Sequence, residues 1–231
     1  MKIAGLQKVG LIDFPDRIAA SIFLAGCNLE CLYCHNRWMI RETDVIESMP
    51  VTEFLEWLGT RTGLLDGVCI SGGEPTLHKE LPDLLRAIRS MGFAIKLDTN
   101  GTRPQVLSGL LAAGLMDYVA LDVKAPLDAR YDQVAGCKVD IHAIRESICL
   151  TMQRAPEYEL RTTVGPQLDE AALRAIAREV ASARRWVLQP YRPAPSVHPS
   201  LLGTSYLSQE ALATVVEELK AIAPGVRLRA L

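Results

Sequence analysis

"GVCISGGEPTLHKELPDLLRAIRSMGFAIKLDTNG", residues 67–101, reads as one complete strand–helix–strand unit. Gly67 to Ile70 is a short apolar run that breaks into a glycine-rich turn. Leu81 to Ser90 has a helical pattern, and Ala94 to Thr99 is a second strand ending at "DTNG". Two strands joined through a helix are parallel, because a crossover of this length returns the chain to the edge where it began.

The same alternation runs along the rest of the chain. Further strands are expected at Ile18 to Leu24, Tyr118 to Val123, Glu159 to Val164 and Trp186 to Gln189. Helices are expected near Thr52 to Leu58, Gln105 to Ala113, Ile141 to Gln153, Asp169 to Ala181 and Gln209 to Ala223. Leu173, Ile176, Ala177 and Val180 fall at i, i+3, i+4 and i+7, one buried helix face. Leu212, Val215, Val216 and Leu219 repeat that pattern, and Pro224-Gly225 ends the last helix. The fold class is therefore α/β: a partial TIM-type (β/α)6 barrel of parallel strands, with an open doubly wound sheet as the alternative. No linker interrupts residues 1–231, so one domain is expected. The proline-rich "QPYRPAPSVHPS", Gln189 to Ser200, reads as a loop.

In 231 residues, 49% are apolar and the net charge is −2 with the signs interspersed. That composition supports a real core and gives no basic surface for nucleic acid. The first residues lack a signal-peptide pattern, and no run of about 20 apolar residues would span a bilayer. A cytoplasmic protein with reduced thiols is the expectation.

Parallel barrels carry their chemistry where strands end and loops begin. "SGGEPT" (Ser71 to Thr76), "DTNG" (Asp98 to Gly101), "DVK" (Asp122 to Lys124) and "QPYRP" lie at such ends, while "RTT" (Arg161 to Thr163) lies within a strand. Together they are expected to ring one cavity. Upstream, the loop at residues 26–36, "GCNLECLYCHN", places Cys27, Cys31 and Cys34 in a C-x3-C-x2-C spacing with no second pair. Structural zinc sites use two pairs, and an iron–sulfur cubane normally takes four cysteines. Three thiolates therefore suit a cubane with one iron left open, with zinc as the plainer alternative. Cys69 and Cys149 sit in apolar strand and helix contexts and are expected in the core. Cys137 lies in a loop without a nearby partner cysteine, so a second cluster is not expected.

This spacing, with Tyr33 just before the last cysteine, resembles the signature of the radical S-adenosylmethionine (SAM) superfamily. The segments from "GLQKVGLIDFPDRIAASIFLAGCN" to "VLQPYRP", Gly5 to Pro193, resemble its glycyl-radical-enzyme-activating branch. They are most similar to the long-form activators of anaerobic ribonucleoside-triphosphate reductase and more loosely similar to the pyruvate formate-lyase activators. The resemblance implies one [4Fe-4S] cluster on Cys27, Cys31 and Cys34, with SAM on its open iron. SAM would be cleaved to a 5'-deoxyadenosyl radical that takes hydrogen from a glycine of a partner enzyme. The setting would be anaerobic, with a flavodoxin- or ferredoxin-type electron donor. By the same resemblance Gly72, Gly73 and Glu74 would contact the SAM amino group, and Tyr33 and His35 the adenine. Asp98, Thr99 and Asp122 would line the SAM site and could hold a monovalent cation. Lys124 and Arg161 would offset the SAM carboxylate, and Gln189 would lie near the ribose. Other readings are a radical SAM enzyme acting on a small molecule, like a deazaguanine synthase, and a non-enzymatic iron–sulfur electron carrier.

Overall fold

The computed structural model describes residues 1–45 and 47–229. Its strands are β1 (Ile3–Gly10), β2 (Ala19–Leu24), β3 (Gly67–Gly72), β4 (Ala94–Thr99), β5 (Tyr118–Asp122), β6 (Glu157–Val164), β7 (Trp186–Pro190) and β8 (Val226–Leu228). They form one sheet in chain order. The strands from β2 to β8 pair in parallel, and β1 runs antiparallel beside β2. The connecting helices are α1 (Val51–Gly59), α2 (Leu81–Ser90), α3 (Pro104–Ala112), α4 (Arg130–Ala135), α5 (Ile141–Arg154), α6 (Glu170–Glu179) and α7 (Gln209–Leu219). The sheet has two ends, so the barrel is partial, as expected from the strand–helix alternation.

Three elements escape the sequence pattern, each for a local reason. Strand β1 is a half-exposed edge with glycine at positions 5 and 10 and two register shifts, so its alternation is weak. Three residues of β8 and six of α4 are too few to show a period. The expected helix start at Asp169 is instead a cap: its carboxylate accepts the N–H of Ala172. The last helix also stops at Leu219 rather than Ala223.

Cys149 is a correction. On α5 the buried stripe is Ile144, Ser147, Ile148 and Thr151, at i, i+3, i+4 and i+7. Cys149 follows Ile148 by 100° of helix and lands on the solvent side, exposed. Cys69 is buried as expected.

Strand alternation separates two environments. Val68, Ile70, Ile95, Leu97, Val119, Leu121, Leu160, Trp186 and Leu188 face the helices in the main apolar core. The other face looks into the barrel and is mostly polar. Its floor is the exception: Phe14, Ala19, Tyr118 and Ala120 form a separate apolar cluster. Phe14 comes from the turn between β1 and β2, and its ring stands 6.0 Å from that of Tyr118. Gly67 makes room for it, since a β-carbon there would meet the Ala94 carbonyl at 2.7 Å and the Phe14 ring at 3.0 Å.

The Phe14 ring therefore plugs the barrel floor against water. Phe14→Ala is expected to lose about 3–5 kcal/mol, the usual cost of truncating a buried Phe. Urea unfolding of the two proteins compared side by side measures it.

Candidate functional site

A cleft of about 350 Å3 opens at the C-terminal ends of the strands. That size is ordinary for a small-molecule site. Cys27, Cys31, Cys34, Tyr33, His35, Gly72, Gly73, Asp98, Thr99, Asp122, Lys124, Arg161 and Gln189 all line it. Of the residues expected from the sequence, Glu74 alone is missing from its walls.

Glu74 has other work. Its side chain is fully buried. One carboxylate oxygen accepts the N–H and hydroxyl of Thr76 and the hydroxyl of Thr99; the other accepts the N–H of Asn100 at 2.6 Å. Burial pushes its carboxyl above the usual range, against the pull of these four donors. Glu74 thereby joins the end of β3 to the end of β4, and its carboxylate lies outside the cleft walls. Its own N–H donates to the Gly26 carbonyl at 2.8 Å, which ties the same corner to the cysteine loop.

The adjacent glycines serve that join as well as the cleft. A β-carbon on Gly73 would lie 2.0 Å from the Gly26 carbonyl oxygen, and one on Gly72 would lie 2.3 Å from the Leu24 nitrogen. Gly72 also has φ +114, a conformation that favours glycine. The GG pair therefore lets the chain that delivers Cys27 press directly onto the end of β3.

Other bonds shape the cysteine loop. The N–H groups of Gly26 and Cys27 donate to the carbonyls of Met39 and Ile40 at 2.7 and 2.8 Å. Glu30 N–H donates to Ala135, the last residue of α4, at 2.8 Å. On its other side, His198 N–H donates to Leu32, and the His35 ring bonds the Arg192 carbonyl, both at 2.9 Å. Burial pushes the Cys27 thiol up to about 12 and raises those of Cys31 and Cys34. Lys124 works in the opposite direction on all three. A metal must therefore displace protons to bind here.

Among the described residues, no three His, Cys, Asp or Glu side chains converge on one point as a single metal ion would require. A tetrahedral zinc draws its sulfurs to about 2.3 Å from a common centre. A polynuclear cluster takes its thiolates on separate irons, and three thiols spaced along one cleft wall suit that donor set. Cys137 is half-buried beside this loop, its thiol donating to the Asn28 carbonyl at 3.5 Å.

Below the cysteines lies a chain of charges. Arg161 donates to Asp122 at 2.9 Å and to Asp98 at 3.0 Å. Lys124 pairs with Asp122 at 3.1 Å, and Lys96 pairs with the other oxygen of Asp98. Ser71 donates to Asp98 at 3.0 Å. Burial opposes ionisation of Asp98, but Arg161 and Lys96 hold its carboxyl well below the usual carboxylate range. Asp122 is lowered as well, burial again being outweighed by Arg161 and Lys124. Burial likewise works against charge on Lys124, and Asp122 overcomes it. Lys96 and Arg161 thus supply positive charge to both oxygens of Asp98. A zwitterionic amino-acid group entering the cleft meets both signs, so the residues present suit SAM as well as a cluster.

Lys96 was not anticipated, although a lysine two residues before Asp98 in a buried strand must share its inward face. Asn100, within the expected "DTNG" motif, makes a contact that no pattern announces: its amide donates to Asn28 at 3.0 Å, inside the cysteine loop. Tyr131 on α4 accepts the Lys124 N–H at 3.3 Å, and no sequence pattern announces it.

The Radical SAM superfamily model matches residues 21–180 of the chain. A protein of Methanocaldococcus jannaschii, provisionally named a glycyl-radical enzyme activating enzyme, is 33% identical over 198 residues, covering 83% of this chain and 80% of that one. The pyruvate formate-lyase 1-activating enzyme of Escherichia coli K12 is 30% identical over 205 residues, 82% of this chain and 80% of the relative. Among solved structures, Streptococcus suis SuiB bound to its precursor peptide superposes with a TM-score of 0.69 at 14% identity, over 91% of this chain and 48% of that one. At that identity the likeness concerns the fold alone.

Gly73→Ala should displace the cysteine loop and lower the iron retained after anaerobic reconstitution, with secondary structure intact by circular dichroism. Gly109→Ala is the control, because its β-carbon would meet nothing within 4 Å. A second expectation concerns pH. Asp98 and Asp122 have lowered native pKa values, so their contribution to stability is complete above the unfolded value of about 3.9 and is lost as pH falls below it. Asp98→Asn should therefore cost about 3–5 kcal/mol at neutral pH, by leaving buried cations short of a partner. It should also flatten the loss of stability between about pH 4 and pH 2, measured by denaturant titration at each pH.

Proposed function

This chain belongs to the radical SAM superfamily, and we propose that it is an activating enzyme that installs a glycyl radical in a partner protein. The observation that carries this reading is the meeting of three cysteine thiols and a balanced set of buried charges around one cleft. The two relatives described above support the activating role by their names.

Cys27, Cys31 and Cys34 would hold a [4Fe-4S] cluster. Such a cluster supplies a single electron to SAM, the source of the carbon radical that removes hydrogen from a glycine α-carbon. The chain's own residues prepare the place. Gly72 and Gly73 bring β3 against the cysteine loop, and Glu74 locks the corner without entering the cleft. Lys124 and Arg161 present fixed positive charge for a carboxylate. Asp98 and Asp122 hold those cations in place and keep them protonated. Tyr33 lies beneath Lys124, whose ammonium is 5.9 Å from the ring centroid, and shields this corner from water. Because the cations are already paired before any ligand arrives, little rearrangement is needed on binding.

The partner proposed first is anaerobic ribonucleotide reductase, on the strength of the segments between Gly5 and Pro193. A flavodoxin- or ferredoxin-type protein is the proposed electron source, and the cytoplasm the proposed setting. Among the described residues no helix is long and apolar enough to cross a membrane.

With reductant and SAM, the anaerobically reconstituted protein should form 5'-deoxyadenosine, and Cys→Ala at position 27, 31 or 34 should abolish it together with iron retention. Full activity in Cys31→Ala would rule out the mechanism. Cys149→Ser, on the solvent face of α5, should leave both readouts unchanged. Incubation with purified candidate glycyl radical enzymes should give an EPR doublet on the true partner; SAM cleavage without a doublet on any candidate would count against the activating role.

A further inference from the structure

We infer that Arg229, beyond the last strand, is a positioning residue that makes Gln189 a hydrogen-bond donor to the cleft. The ligand half of this inference rests on reading the cleft as a SAM site.

Arg229 continues the line of β8, its N–H donating to the Leu188 carbonyl on β7 at 3.0 Å. Its side chain turns to the inner face. One guanidinium nitrogen donates to Gln189 Oε1 at 2.6 Å, and another donates to both oxygens of Glu159 at 2.8 Å. Glu159 lies on β6 with only 2% of its side chain exposed. A carboxylate so far from water must be paired, and Arg229 is the cation that pairs it.

The polarity of Gln189 then follows from chemistry. The oxygen and nitrogen of an amide are hard to tell apart by shape, and the assignment is made from partners. Guanidinium has only donors, so the atom facing it must be the amide oxygen. The NH2 is therefore turned away from Arg229, and Gln189 is part of the cleft wall. What it offers there is a donor, and the group it recognises is an acceptor, such as a hydroxyl oxygen or a heterocycle nitrogen. Without Arg229 the amide is free to flip and can present either end.

Three variants separate this role from simple support of the fold. Gln189→Glu keeps an oxygen for Arg229 but puts an oxygen where the donor stood. Its melting temperature should match or exceed the wild type, while SAM affinity of the reconstituted holoenzyme, read by anaerobic equilibrium dialysis, should fall about tenfold, one hydrogen bond's worth. Arg229→Met should lose both stability and affinity. Glu159→Met combined with Arg229→Met removes the stranded carboxylate, so stability should return while affinity stays weak. Wild-type affinity in Gln189→Glu, or affinity that returns together with stability in the double variant, overturns the inference. A wild type that binds no SAM refutes the reading of the cleft itself, and the ligand half of the inference with it.

Discussion

Everything at the mouth of this barrel depends on charges that have been taken out of water and balanced against one another. Lys96, Asp98, Arg161, Asp122 and Lys124 form one continuous chain of ion pairs across β4, β5 and β6. A buried pair adds little net stability over an apolar pair of the same volume, because desolvation consumes the Coulombic gain. Removing one partner is costly, since a bare charge remains. The network thus contributes less to the stability of the barrel than to the position of its charges. A cleft that is to hold a zwitterion next to three cysteines, as proposed for this one, needs that kind of fixity.

A second join works by close approach. The backbone at Gly72 and Gly73 touches the chain entering the cysteine loop, at distances that allow no side chain. Glu74 then fastens the loop, β3 and β4 into one corner, through the Gly26 carbonyl on one side and Thr99 and Asn100 on the other. The cysteine loop and the cleft-facing strand ends are therefore joined in one hydrogen-bonded corner. Helix α4 and the segment after β7 brace the loop from outside, at Glu30, Leu32 and His35.

Much of this was legible in the chain itself. Short apolar runs and period-3.6 patterns placed six parallel strands and six helices, because both depend only on which positions face an apolar layer. The cysteine spacing and the residues at strand ends named nearly the whole cleft wall for the same reason: a parallel strand delivers its last inward residue to the same rim as its neighbours. Short elements were lost, and so was the side of α5 on which Cys149 sits, since one residue of offset rotates a side chain by 100°.

What the sequence determined by itself was the order of the longer strands and helices, the spacing of three cysteines in one loop and the identity of the residues at the rim. Only the tertiary structure decided who faces whom. Glu74 turns inward because Thr76, Thr99 and Asn100 surround it with donors. Lys96 sits beneath Asp98 because β4 is pleated, and Arg229 reaches Glu159 and Gln189 across two strands from near the end of the chain. Pairings between residues distant in sequence are fixed by sheet register and by the cost of leaving a buried charge alone, and neither is written in any local pattern.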